Sequence, residues 1–363
     1  MGGIAAISDL HLGAPGCYLN VVSVKERLLE ALAKLSQNHL ELLVLVGDII
    51  DLSVGRAPEP WALGRQFFHE LGGYGAPGSR LRIDNIVYVP GNHDHHVWVL
   101  LAEYKELLCK LETLVPSDIG TNQAAKMVGT VYPSWTPLHD LFPPELRSTV
   151  CFAYPFWCCS HGNTRFVFHH GHYFDKAITP LARVVAEIGG DLSRIEAFNL
   201  PYMESLFYLH SWDPLVQRAE LSFYSHLTKW KLLKLSRLFT WLTRRLRRKP
   251  RLGNCDVSKI DRMMKCIGFR SSQLRENDIW VFGHTHMRDD LRSTKALRLF
   301  DLGGWVLNHD PNLGETSAWS EPAIFFYDNG SGPQLVPLSL HEEERQSIKS
   351  KMSPVAASGS MIM

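Results

Sequence analysis

Short apolar runs that stop at a glycine or a polar turn recur along the chain. Residues 4–7, 42–46, 86–89, 166–168 and 279–282 are such runs, and 300–302 and 323–327 follow near the end. They are too short for helices and lack polar alternation, so they predict strands covered on both faces. Between them, residues 24–35 place Leu28, Leu29, Leu32 and Leu35 on one side of a helix, and residues 97–114 predict a second helix. Strands alternating with helices predict an α/β layered fold with its site at the carboxyl ends of the strands. No internal repeat is visible.

Residues 176–275 break this rhythm. They hold many aromatics and a dense basic stretch, and none of the strand–glycine–histidine motifs found elsewhere. The pattern predicts a mostly helical insertion between two halves of one core, residues 1–175 and 276–340. From 341 to 363 the chain is charged, then small and polar, which predicts a loosely ordered tail.

Composition narrows the class. The 363 residues are 45% hydrophobic, and formal net charge is +1, so bulk charge does not point to nucleic acid. Seven cysteines occur without a CxxC pair, which argues against a disulfide framework and a thiolate zinc site. A reducing compartment is the expectation. No secretory signal is seen before Ser8-Asp9-Leu10-His11, and no apolar run has the length of a membrane span, so a cytoplasmic location is expected.

Five polar segments carry the chemistry, and each follows an apolar strand. They are Asp9-Leu10-His11, Gly47-Asp48-Ile49-Ile50-Asp51, Gly91-Asn92-His93-Asp94, His169-His170-Gly171-His172 and Gly283-His284-Thr285-His286. In a strand, residues i and i+2 share a side, so Asp9 with His11, and His284 with His286, are expected to converge. Any one segment is commonplace; five in this order are not, and core packing would not bury so many polar groups unpaired. Carboxylates mixed with imidazoles suit Mn²⁺, with Fe or Zn²⁺ as alternatives. Two ions about 3.5–4 Å apart can hold both the attacking and the leaving oxygen of a displacement at phosphorus. Their bridge must be a carboxylate, because an imidazole nitrogen has one lone pair.

The set resembles the calcineurin-like metallophosphoesterase superfamily, whose motifs run in the same order. The resemblance implies a four-layer αββα sandwich and a dinuclear metal-dependent phosphoester hydrolase. It implies that Asp9, His11, Asp48 and His286 hold one ion, with Asp48 bridging, while Asn92, His170 and His284 complete the second. It implies that His93 protonates the leaving oxygen or stabilises charge on phosphate and that Asp51 orients it; a cap on the following turn is the alternative for Asp51. The residues after Gly47-Asp48 and His93 differ from those of the superfamily's protein phosphatases.

A partial resemblance is to the bacterial UDP-2,3-diacylglucosamine pyrophosphatases. It rests on Ser8-Asp9-Leu10-His11-Leu12, on Gly283-His284-Thr285-His286 followed by Leu302-Gly303-Gly304-Trp305, and on the insertion. It implies a lipid-linked or nucleotide diphosphate substrate. The chain differs in its length, in His93, where that family commonly has Arg, and in His172, where it has Asp. Residues 221–255 contain no Asp or Glu; Arg244, Arg245, Arg247 and Arg248 stand there with Trp230, Phe239 and Trp241. Such a stretch suits an anionic membrane surface, on the inner face of the membrane for a cytoplasmic protein. Nucleic acid, read by a nuclease of the same superfamily, or a non-catalytic scaffold binding a partner, are the alternatives.

Overall fold

The computed structural model describes residues 2–53, 58–74, 81–113, 131–132, 136–174, 192–204, 207–208, 278–286, 288–292, 298–308 and 318–352. Two sheets face each other. The first contains β1 (Gly3–Ile7), β2 (His39–Val46), β3 (Arg82–Ile83), β4 (Ile86–Val89), β5 (Val131–Tyr132) and β6 (Val150–Ala153). The second contains β7 (Phe156–His161), β8 (Thr164–His169), β9 (Ile279–Phe282), β10 (Arg288–Arg292) and β11 (Arg298–Leu302). After a two-stranded ribbon, β12 (Leu307–Asn308) and β13 (Ala318–Trp319), the chain returns to the first sheet as β14 (Ala323–Asp328) and β15 (Gly332–Pro337).

The order is β15-β14-β1-β2-β4-β6-β5 in the first sheet, with β3 beside β2, and β10-β11-β9-β8-β7 in the second. The centres are parallel: β1 with β2, β2 with β4, β4 with β6, β8 with β9 and β9 with β11. All five polar segments therefore leave their strands at carboxyl ends.

The continuous apolar runs follow from burial on both faces. Ile4, Ala6, Val44, Val46, Val87 and Val89 pack against Phe166, Phe168, Val281 and Phe300 between the sheets. Their alternates, among them Ala5, Ile7, Leu43, Leu45 and Tyr88, join a second core with α1 (Val22–Leu35), α2 (Pro58–Gly73) and α3 (His95–Thr113). On the second sheet, Val167, Trp280 and Phe282 point away from the first and are buried too. The architecture is the expected mixed α/β sandwich with helices outside its sheets. A short helix α4 (Pro144–Arg147) lies before β6.

The predicted strands and both predicted helices are present, with ends shifted by at most a few residues. Several elements escaped the pattern, among them α2, β7 and β15. Strands β7 and β15 are edge strands of mostly half-buried residues, so their apolar signal is weak.

The tail expectation is corrected for part of its length, because residues Glu342–Met352 form a helix. Of the insertion, the described residues include α5 (Leu192–Glu204) and Phe207–Tyr208. The rest, residues 221–255 among them, lies outside the described residues. We number the tail helix α6. It opens on Glu342, Glu343 and Glu344 and ends with Lys349 and Lys351, the charge order that opposes the helix dipole. Ile348 is buried, and Arg27 pairs with Glu344 at 2.6 Å. Among the described residues no helix is long and apolar enough to cross a membrane.

Candidate metal centre and catalytic loop

The five segments converge, but not by the strand geometry expected. Strand β1 ends at Ile7 and β9 at Phe282, so Asp9, His11, His284 and His286 lie in the loops beyond. Asp9, His11, Asp48, His284 and His286 all have φ between 50° and 72°, the left-handed region that L residues avoid. Loop turns, not the strand pleat, aim these side chains. Each such residue costs roughly 1–3 kcal/mol and persists only where surrounding bonds fix it. Those bonds are present: Asp9 N donates to Gly47 O (3.0 Å), His11 N to Asp48 O (2.9 Å), and Trp305 N to Asp9 O (3.0 Å).

Two groups of ligand-type atoms result. In one, His286 Nε2 lies 3.2 Å from Asp9 Oδ1 and 3.1 Å from His11 Nε2. In the other, His170 Nε2 lies 3.1 Å from Asp48 Oδ2 and 3.2 Å from Asn92 Oδ1. Asp48 Oδ2 is also 3.8 Å from His11 Nε2, so this carboxylate stands between the groups. Ligand atoms of Asp9, His11 and His286, and of Asp48, His170 and His284, fall within 4.8 Å of one another and could hold metal ions. His93 also lies within that distance of His11 and Asp48. The expected ligands Asp9, His11, Asp48, Asn92, His170, His284 and His286 are thus together in one place.

The protons tell what this place suits. His170 Nδ1 points at Val46 O (3.0 Å) and must donate to it, which leaves a lone pair on Nε2. That lone pair faces a carboxylate oxygen and an amide oxygen. His11 repeats the arrangement: Nδ1 binds Asp51 Oδ2 at 2.8 Å, and Nε2 faces His286. Acceptors turned on one another need a cation between them. Burial opposes charge on His170, yet Asp48 and Asp9 outweigh it and raise its pKa to about 10. The field that would hold a proton there also favours a divalent ion, which competes with that proton. The donor set therefore fits a metal.

Asp51 does more than expected. It accepts from His11 through Oδ2 and lies 3.1 Å from His93 Nδ1 through Oδ1, so one carboxylate orients a ligand candidate and the neighbouring imidazole. Burial raises its pKa, but His93 and His11 win and hold it well below the usual carboxylate range. Burial likewise opposes charge on His93, while Asp51 and Asp48 raise it to about 9. Ser53, not singled out in the sequence, donates to Asp51 Oδ1 (2.6 Å) and sits 2.8 Å from His93 Nδ1. His93 Nδ1 is thus engaged, and only Nε2 remains for a substrate.

Asp94 was legible only as the end of a motif. Buried, it accepts from Asp48 N (3.1 Å), Ile49 N (2.8 Å), Gly91 N (2.6 Å) and Tyr88 Oη (2.7 Å). It ties the loop after β2 to the loop after β4. Ser8 Oγ lies within hydrogen-bond reach of both Val46 O (2.7 Å) and the Asp9 carboxylate, and its one proton serves one of them at a time. Gly283 has no room for a side chain, since a Cβ there would strike Ser8 Oγ and Asp9 Oδ2.

Residues 3–288 match the model of the calcineurin-like phosphoesterase family. The chain belongs to that family and is a hydrolase acting on phosphoester bonds. Among solved structures, one similar chain is a conserved uncharacterized protein, a predicted phosphoesterase, from Streptococcus pneumoniae. It is 11% identical with a TM-score of 0.27, covering 93% of this chain and 98% of that one. Another is Yfce, a phosphoesterase from E. coli, 11% identical with a TM-score of 0.31, covering 90% and 88%. No curated protein sequence matches.

Proposed function

We propose that the chain hydrolyses a phosphoester or pyrophosphate bond at a dinuclear metal centre. The carrying observation is the pair of converging ligand groups with Asp48 between them. Asp9, His11, Asp48 and His286 would hold one ion and Asn92, His170 and His284 the other, with Asp48 shared. The ions, with Mn²⁺ the expected metal, would supply Lewis-acid polarisation of the phosphoryl group and a nucleophilic hydroxide near neutral pH.

The protein's own groups do the rest. Asp51 fixes the His93 tautomer with the proton donor facing the substrate, and His93 protonates the departing oxygen through Nε2. Asp94 and the bonds between loops hold the ligands before substrate arrives, which spares reorganisation during reaction. Hydrolysis of aryl phosphate mono- and diesters with added Mn²⁺ tests this reading. Metal-dependent turnover that His93→Ala lowers is expected; absence of turnover across both classes contradicts it.

A lipid-linked or nucleotide diphosphate is one substrate class that the partial resemblance supports, and the basic, aromatic residues 221–255 suit an anionic membrane surface. Several cations, each contributing on the order of 1 kcal/mol at an anionic surface, would hold the chain there reversibly. Flotation with anionic and neutral vesicles, for wild type and a chain with Arg244, Arg245, Arg247 and Arg248 changed to Gln, is the test. Salt-sensitive recovery of the wild type alone is expected. Equal recovery of both removes the membrane reading, and tight binding to DNA or RNA instead favours a nuclease.

A further inference from the structure

A second polar cluster lies beside the metal centre and plays no part in the chemistry above. Helix α3 begins at His95, directly after the loop that carries Asn92 and His93. His95 and Glu196 of α5 are buried in contact, with Nε2 and Oε1 2.6 Å apart. His95 Nδ1 lies 2.9 Å from Glu204 Oε1, and His96 Nδ1 lies 2.5 Å from Glu204 Oε2. Tyr173 Oη donates to Glu196 Oε2 at 2.6 Å, and Tyr154 Oη lies 3.2 Å from the same oxygen. Just past α5, the Phe207 ring stands against the His93 ring with centroids 4.8 Å apart, and Tyr208 stacks on His96.

His95 bonds a different carboxylate with each ring nitrogen. Those nitrogens point in divergent directions, so the cluster does not converge on an ion. It is a fastening between two segments far apart in sequence. Both carboxylates belong to α5 and both imidazoles to the start of α3.

We propose that Glu196 and Glu204 latch α5 to the catalytic loop and so place Phe207 beside His93, where it selects flat aromatic leaving groups. This rests on the role of His93 given above. If His93 protonates the departing oxygen of a phosphoester, the organic group attached to that oxygen must pass the neighbouring ring; the selection applies to the ester branch of the proposed function and not to a diphosphate. A planar group meets the Phe207 face with favourable offset or edge contact, and a compact aliphatic group gains less. Glu196 and Glu204 are positioning residues, and Phe207 is the specificity-determining one.

The experiment has two independent arms on the full chain. Amide hydrogen exchange over residues 192–204 reads the latch without any turnover. Glu204→Gln should speed that exchange about tenfold, and unchanged exchange overturns the latch. The second arm compares kcat/KM for esters of phenol and of hexafluoroisopropanol, leaving groups alike in acidity but not in shape. Phe207→Ala should lower the aryl-to-alkyl ratio about three- to tenfold, as expected for loss of one aromatic contact. Phe207→Tyr should restore the ratio, and Phe207→Leu, which keeps the volume, should restore it only in part. An unmoved ratio in Phe207→Ala overturns the wall. A wild-type chain that turns over neither ester with added Mn²⁺ overturns the phosphoesterase reading and the wall with it, while the exchange arm still decides the latch.

Discussion

Two clusters of histidine and carboxylate meet at the end of β4, built from the same residue types and opposite in logic. Around Asp48, acceptor faces acceptor: His170 Nε2 looks at Asp48 Oδ2 and Asn92 Oδ1 while its one proton is spent on Val46 O. Around His95, acceptor faces donor: three imidazole nitrogens and two phenols meet two carboxylates. The first arrangement takes a proton or a metal ion between its acceptors, and several ligand atoms converge there. The second is complete in itself. Residue type and burial are alike in both, and carboxylates favour a second proton on His170 and on His95 alike. Convergence separates a binding site from a fastening, since several ligand atoms surround one place in the first and the ring nitrogens diverge in the second.

The largest expected effect falls on the catalytic side. His93→Ala should lower turnover about 10²–10⁴-fold while metal content stays at its wild-type level. A good leaving group should be hurt less than a poor one, and equal losses on both speak against proton donation. Next comes the fastening. Glu196→Ala leaves the buried His95 with one partner fewer and should lower unfolding free energy by about 3–5 kcal/mol in a denaturant titration. A cost below about 1 kcal/mol would make His95 a spectator. Asp51→Asn probes the seam, since Asp51 orients His11 and His93 together. Metal affinity should fall about 10–100-fold, the usual cost of losing a group that orients a ligand, and turnover should fall further than metal loss explains.

The clusters should also part under chelation and pH. A strong chelator should lower the melting temperature by removing the ions, yet leave protection of α5 intact. Faster exchange in α5 on chelation would merge the two clusters into one unit. Burial opposes charge on His95, but Glu196 and Glu204 raise its pKa from 6.5 to about 9. Its contribution is complete below about 6.5 and is lost as pH rises toward 9. Burial raises Glu204, but His95 and His96 lower it from 4.5 to about 2, so its contribution is lost as pH falls through that range. Tyr154, Tyr173 and His172 also face this cluster. Protection of residues 192–204, corrected for intrinsic exchange, should be greatest between about pH 4.5 and 6.5. A steady rise toward pH 9 would contradict the His95 pairing.

How much of this was legible follows from where each residue type carries information. Apolar runs buried on both faces, such as 42–46 and 279–282, announce themselves, and the polar segments after them mark the site. The backbone of the site did not announce itself. Asp9, His11, Asp48, His284 and His286 belong to residue types that enter positive φ more often than most, but identity alone does not say which of the chain's many Asp and His residues do so. Their strain is imposed by bonds from loops distant in sequence. Ser53 and the fourfold acceptor Asp94 were missed as partners for related reasons: Ser53 meets the side chains of Asp51 and His93, and Asp94 gathers three backbone amides and the Tyr88 hydroxyl, contacts that carry no sequence signature. Helix α6 was missed because two of its residues, Glu344 and Ile348, are buried, too few for a period. Its acidic start and basic end were the available signal. The fastening was invisible because His95 and Glu196 are 101 positions apart.

The most direct test is the metal content of the purified chain after loading with Mn²⁺, for wild type and Asp48→Ala. Asp48 stands between the two groups, with Oδ2 3.1 Å from His170 and 3.8 Å from His11. A shared ligand lost from both sites should leave at most one weakly held ion where the wild type keeps two, with no measurable turnover. Two tightly held ions in Asp48→Ala would contradict a bridged dinuclear centre.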